Sequence, residues 1–186
     1  MDELVRKAEE LFRNRIPESR KKDVYIKHVE LVRKYALILG KEYGADLVVV
    51  EVAALLHDIC AGVKNHASRS AEIADEFMTK EGVDRETKEK ILSAIKNHSS
   101  VRQGVELSHD VPIEDQIIRD ADSISFLEDG YKWYLEISLD IESCKEEAKK
   151  ASLDKIRRML AKAKTKKGLE MAKRFYKPAE EYITKF

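Results

Sequence analysis

A histidine followed directly by an aspartate, His57-Asp58, closes the apolar run Ala53-Ala54-Leu55-Leu56. Burying a carboxylate beside an imidazole is costly unless a partner group or a metal ion compensates it. Adjacent helical positions point about 100° apart, so both side chains reach one ion only at a helix end or at a junction between helices. Further ligands must then come from other elements. His28, one turn from Tyr25 and Val32, and Asp122, directly after Ala121 and one turn beyond Ile118, are the candidates. Imidazoles mixed with carboxylates suit Mn, Fe, Co, Ni or Zn better than calcium, with Mg a further option. Two histidines and two carboxylates leave part of an octahedral shell for water or a phosphate oxygen, and such an ion polarises a phosphoryl group and acidifies a bound water. Taken singly, each residue has a plainer reading. His28 also fits a core histidine bonded to a carbonyl, and Asp122 a helix cap or a partner for Arg119 or another base.

The elements that must position these residues read as helices joined by short loops. Leu4, Ala8, Leu11 and Phe12 share one face of a helix over 2–15, with Pro17 after it. Tyr25, His28, Val32, Tyr35, Ala36 and Leu39 recur at three- and four-residue steps over 22–43, and Gly44 marks a stop. Asp46 is placed to cap a third helix from Leu47 to Ile59. Its Val48-Val49-Val50 run prefers a strand by propensity, but ten or more residues without a breaker argue for a buried helix, closed by Gly62. Further helices are expected over 66–80 (followed by Gly82), over 85–98 (capped by Asp84) and over 113–128, with a loop at 99–112. After Gly130 come stretches at 131–163 and 166–185. Lys162 to Lys167 is a basic hinge candidate between them, and Pro178 is expected to kink or split the last helix.

His28, then Ala54-Leu55-Leu56-His57-Asp58-Ile59, then Asp120-Ala121-Asp122 resemble the signature of the HD-domain superfamily of metal-dependent phosphohydrolases: a histidine, a later His-Asp pair and a distal aspartate. The resemblance covers about residues 20–128. It implies an all-α HD-domain helical bundle in which His28, His57, Asp58 and Asp122 ligate a divalent transition metal. It also implies that metal-activated water cleaves a phosphoester or phosphoanhydride of a phosphorylated small molecule, with a nucleotide the expected substrate. His66, in "HASRSAEIA", and His98, in "AIKNHS", match the extra histidines of branches that hold two metals, where Asp58 would bridge ions about 3.5–4 Å apart. In single-metal members such residues bind phosphate, orient water or support the ligands. One ion is the first expectation, with Asp58, His66 and His98 as catalytic candidates. The Gly-Tyr-Pro signature of the cyclic-dinucleotide branch is missing, which counts against that substrate. Rival readings are a catalytically weak HD module that binds metal or nucleotide for regulation, and an HD-type oxygenase, which needs two irons.

For anion handling the helical register offers Lys64, Arg69, Lys96 and Arg119, each equally readable as a solvated charge. His109, in "LSHDV", repeats the His-Asp pair but lies in the loop before Pro112, so it reads as exposed or lid-like and not as a ligand. Cys60 reads as a small core residue.

The composition sets the frame around this site. The chain has 186 residues, 43% hydrophobic and 38% charged, enough for one sizeable core under a densely ionic surface. Residues 1–130 read as the metal-binding core. Residues 131–186, with Tyr131, Trp133, Tyr134 and Leu135 too apolar to stand in water, read as helices packed on that core within the same domain. Lys+Arg and Asp+Glu are equal at 35 each, yet residues 145–177 hold thirteen basic against four acidic residues. That excess suits a helix face lying against the acidic body, or the steering of an anionic substrate or nucleic acid. Cys60 and Cys144 form no CxxC pair, so neither a disulfide scaffold nor a zinc knuckle is expected. Asp2, Glu3, Arg6 and Lys7 interrupt any leader-like apolar run, and the Leu47–Leu56 stretch is too short to cross a bilayer, which makes the cytoplasm the expected location and leaves no role for a membrane. P-loop, GxGxxG and zinc-finger spacings are absent, so ATP-driven work, a dinucleotide cofactor and a zinc-built nucleic-acid reader find no support.

Overall fold

Apolar residues at three- and four-residue spacing do build helices along this chain. The structure, a computed structural model, describes residues 3–16, 22–99 and 111–186. In order these form α1 (Glu3–Arg15), α2 (Lys22–Tyr43), α3 (Leu47–Leu56), α4 (His66–Lys80), α5 (Arg85–Asn97), α6 (Ile113–Ser125), a π-helical turn (Phe126–Gly130), α7 (Tyr131–Ile141), α8 (Lys145–Lys162) and α9 (Lys166–Lys185). No strand occurs among the described residues. The fold is an all-α bundle with C-terminal helices laid against it.

Helix α3 runs through the centre. Val49, Val50 and Val52 to Leu56 are all buried, and burial on every side outweighs the strand propensity of the valine run. Asp46 caps it as its residue type suggests, accepting from Val48 N at 2.9 Å and Val49 N at 3.2 Å. Helix α2 lies against α3 and α6, and α1 and α5 cover other faces of α3. The α2–α3 crossing is tight enough that a Cβ on Gly40 would meet Leu47 Cδ2 at 3.0 Å and Val50 Cγ2 at 3.2 Å.

Three boundaries differ from the sequence reading. Helix α3 ends at Leu56, short of Ile59, because the ladder tightens there. His57 N still bonds Ala53 O at 2.8 Å, but Ile59 N turns to Leu56 O and Ala61 N to Asp58 O. Gly62, at φ +84°, completes the reversal. Helix α6 gives way after Ser125 to the π-helical turn, which leads into α7 without a loop. The expected 131–163 helix is two helices. Glu142 and Cys144 are extended, and the Ser143 hydroxyl donates to the Glu147 carboxylate at the start of α8. The break lets α8 pack against α7, α9 and α6 together. Pro178, by contrast, does not split α9, which continues to Lys185. Pro178 and Arg174, whose carbonyl loses its donor, both lie on the exposed side where water substitutes.

The C-terminal helices are tied to the rest at several points. Phe175 meets Tyr35 of α2 edge-on with ring centres 6.4 Å apart. Lys167 N donates to Tyr43 Oη at 2.8 Å. Among the described residues no helix is long and apolar enough to cross a membrane.

Candidate metal centre

Six helices bring one polar cluster together. α2 supplies His28, the C-terminal end of α3 supplies His57 and the turn after it Asp58. His66 opens α4, His98 caps α5, Asp122 comes from α6, and Lys162 ends α8. The bend at α3 is what lets two adjacent residues share the cluster. Tyr25 Oη donates to the Asp58 carbonyl and holds that turn. Asn65, at φ +59°, takes the left-handed conformation that Asn tolerates and swings the chain into α4.

Three imidazoles have their tautomer set by neighbours. His57 Nδ1 lies 2.8 Å from Ala54 O and His98 Nδ1 2.6 Å from Ile95 O, so both nitrogens carry the proton and donate. His28 Nδ1 lies 2.9 Å from Ser125 Oγ, whose own proton goes to the His28 carbonyl at 3.2 Å. Ser125 therefore accepts, and His28 too is protonated at Nδ1. Each ring then turns its Nε2 toward the carboxylates, the arrangement by which an outer partner orients a metal-binding histidine.

Asp58 divides its oxygens between two pairs of rings. Oδ2 lies 3.6 Å from His57 Nε2 and 3.8 Å from His28 Nε2, while Oδ1 lies 3.3 Å from His98 Nε2 and 3.4 Å from His66 Nε2. Asp122 Oδ1 is 3.4 Å from His28 Nε2. Two ligand groups result, His28/His57/Asp58 and Asp58/His66/His98, each with its donor atoms within 4.8 Å of one another. His57 Nε2 and Asp58 Oδ1 are buried and make no hydrogen bond. Acceptors that face one another in a buried space are reconciled by a cation among them, so these residues fit a divalent ion.

The electrostatics agree with that fit. Burial pushes the His57 pKa down to about 4, outweighing the attraction of Asp58, so the ring is neutral at ordinary pH. Burial would raise the Asp58 carboxyl, but the imidazoles around it, His57 foremost, hold it well below the usual range. Burial acts on Asp122 in the same sense, and the Lys162 ammonium beside it reverses the outcome. His57 is fully buried, whereas the His66 side chain is 27% exposed and marks the open side of the cluster.

His28, His57, Asp58, His66, His98 and Asp122 are thus brought together. Lys64, Arg69 and Lys96 are exposed, and none of the described contacts draws them into the cluster. Arg119 is buried and donates to the Asn97 carbonyl at 3.4 Å. It lies beside the buried Asp115, which accepts from Ser93 Oγ at 2.8 Å and Asn97 Nδ2 at 2.6 Å. Cys60 is half-buried rather than a core residue, because it follows the early end of α3 and sits in the turn. His109 lies outside the described residues.

Two residues have roles that the sequence reading did not assign them. Lys162 is 5% exposed and donates to Asp122 Oδ2, so the base that pairs with Asp122 is this lysine and not Arg119. Its signal was its register, one turn after the buried Met159 and Ile156 on α8. Asp120 holds the α8–α9 linker, accepting from Lys164 N at 2.9 Å, Thr165 N at 3.0 Å, Thr165 Oγ1 at 2.5 Å and Gln116 Nε2 at 2.6 Å.

A family model described as the HD domain matches residues 25–127. The fold is similar to that of Bacillus subtilis YpgQ in complex with ADP, with a TM-score of 0.69 at 20% identity over 98% of this chain and 94% of that one. It is also similar to a predicted HD superfamily hydrolase from an uncultured Thermotogales bacterium, with a TM-score of 0.64 at 21% identity over 97% and 90%. In sequence the chain is 29% identical over 112 residues to the tRNA (cytidine(56)-2'-O)-methyltransferase of Thermoplasma volcanium. That match takes in 55% of this chain and 32% of the methyltransferase, so the chain spans about a third of the length of that curated relative.

Proposed function

We propose that this chain, which belongs to the HD-domain family of metal-dependent phosphohydrolases, cleaves a phosphoester or phosphoanhydride bond of a nucleotide. The observation that carries the reading is the carboxylate of Asp58, each oxygen of which faces two imidazole Nε2 atoms. His28, His57, Asp58 and Asp122 would hold the first ion. His66 and His98 either complete a second site with Asp58 or orient the attacking water from the open side. A divalent ion bound there supplies Lewis-acid polarisation of the phosphoryl group and acidifies water. The backbone and hydroxyl partners of His28, His57 and His98 engage Nδ1 and leave Nε2 as the nitrogen turned toward the carboxylates. YpgQ, of similar fold, was captured with ADP, which supports a nucleotide as the substrate class.

The test is phosphate release from a panel of nucleotides and simple phosphoesters, with the protein loaded in turn with Mn, Ni, Co and Mg. Turnover should depend on the metal, and Asp58→Ala should abolish both turnover and metal retention while circular dichroism stays helical. An Asp58→Ala protein with a normal metal load would sink the ligand set. Tight nucleotide binding without release in any metal form would make the chain a regulatory module instead.

A further inference from the structure

Lys162 enters the cluster from α8, a helix that lies wholly beyond the HD-domain match at residues 25–127. Its side chain is 6% exposed, and its ammonium donates to Asp122 Oδ2 while Asp122 Oδ1 turns to His28 Nε2. The carboxylate thus offers one oxygen to the imidazoles and the other to a fixed cation. The fixing is local and strong. Two residues before Asp122, Asp120 grips the two residues that follow Ala163, through the N–H groups of Lys164 and Thr165 and the Thr165 hydroxyl. Gln116 Nε2 donates to the Lys162 carbonyl at 3.5 Å. The clamp is so close that a Cβ on Gly168 would fall 2.1 Å from Asp120 Oδ2. A solvated hinge lysine needs none of this.

Placing an ammonium there carries two penalties. Burial removes its hydration, and a positive charge one carboxylate away from a divalent ion repels that ion and weakens Asp122 as its ligand. Both penalties are offset by an anion. With one divalent ion bound, Asp58 and Asp122 balance the ion and Lys162 is left as surplus positive charge. We propose that Lys162 is a phosphate-binding residue of this site, its ammonium shared between Asp122 Oδ2 and a non-bridging oxygen of the substrate's phosphoryl group. The inference rests on the phosphohydrolase reading above and adds to it a residue supplied by the C-terminal helices.

The signature is a divergence of two affinities that loss of structure alone does not produce. Mn2+ is titrated calorimetrically into full-length wild type, Lys162→Met and Lys162→Arg, and inorganic phosphate is then titrated into each Mn-loaded protein. Lys162→Met should bind Mn2+ as tightly as wild type or more tightly, and phosphate about 10- to 100-fold more weakly, the range for losing one charged hydrogen bond. Lys162→Arg, which keeps the charge, should bind phosphate more tightly than Lys162→Met. Unchanged phosphate affinity in Lys162→Met overturns the inference, as does a parallel fall of both affinities, which would make the lysine a support for Asp122. Should Lys162→Met not fold, Lys162→Arg decides: normal Mn2+ binding with phosphate retained supports the role, and normal Mn2+ binding with phosphate lost overturns it. Failure of the wild type to bind Mn2+, Ni2+, Co2+ and Mg2+ alike would overturn the phosphohydrolase reading and this inference with it, whereas the outcomes above leave that reading standing.

Discussion

Replacing Asp120 with alanine should loosen the α8–α9 linker and, with it, the lysine it delivers to the cluster. Asp120 is fully buried and takes four hydrogen bonds, from Gln116 Nε2, Lys164 N, Thr165 N and Thr165 Oγ1. The Thr165 hydroxyl and the Gln116 amide can rotate to other partners, but the two backbone N–H groups cannot. Each buried N–H left without an acceptor costs about 1–3 kcal/mol. The lower half of that range applies because Lys164 is an exposed residue and its bond to Asp120 is only partly buried. Some of the loss is returned, since burial pushes the Asp120 carboxyl up and its removal relieves that penalty. The net loss is about 2–3 kcal/mol, which for a chain of this size is a fall of roughly 4–12 °C in Tm. Thermal and urea unfolding of Asp120→Ala measure it. Asp120→Asn is the sharper control, because a backbone N–H faces each oxygen, at Lys164 and at Thr165, and no flip of the amide avoids setting an NH2 against one of them. An Asp120→Asn protein as stable as wild type would refute the claim that the carboxylate holds the linker.

Gly168→Ala, whose new methyl group would meet the same carboxylate, should destabilise in the same direction, by about 1–3 kcal/mol, read as a shift in urea midpoint. Metal-free protein should lose stability as the pH falls from about 6.5 toward about 4. His57 is held neutral in the fold to about 4 but titrates near 6.5 when unfolded, so its contribution is complete above the unfolded value and lost across that window, about 3 kcal/mol in all. Below it, Asp58 and Asp122, whose carboxyls are depressed, lose their contribution as well. Urea midpoints of stripped protein that stay flat between neutral pH and the mid-fours would contradict the burial argument. If His66 and His98 complete a second site, elemental analysis should find up to two ions per chain, and His98→Ala should remove one and leave the other. A stoichiometry of one, unchanged in both His66→Ala and His98→Ala, would return these rings to phosphate or water. Residues 1–130 expressed alone should be less stable than the full chain and show a raised KM. Undiminished stability with unchanged kinetics would show that 131–186 is not part of the same domain.

Much of this arrangement was readable along the chain. Asp46 and Asp84 cap the helices that their residue type and position suggest, because capping depends on a side chain and the next few N–H groups. His57-Asp58 at the end of a buried apolar run pointed to a compensated charge, and the structure places four imidazoles around that aspartate. The anion candidates fared differently. Arg69 and Lys96 were chosen for nearness along a helix to His66 and His98, but a helix turns each successive residue by about 100°, and both are exposed, as is Lys64 in the turn before α4.

Sequence alone determined the helical elements, their caps and the residue types able to meet at a metal, since periodicity and composition are local properties of the chain. Tertiary structure decided where α3 stops, how the 131–163 stretch breaks, and which base answers Asp122. Lys162 and Asp122 are 40 positions apart; the register of α8 could mark Lys162 as inward-facing, but not which carboxylate it would meet. That is decided by Asp120, which draws the linker onto α6 and turns a surface charge into a buried one.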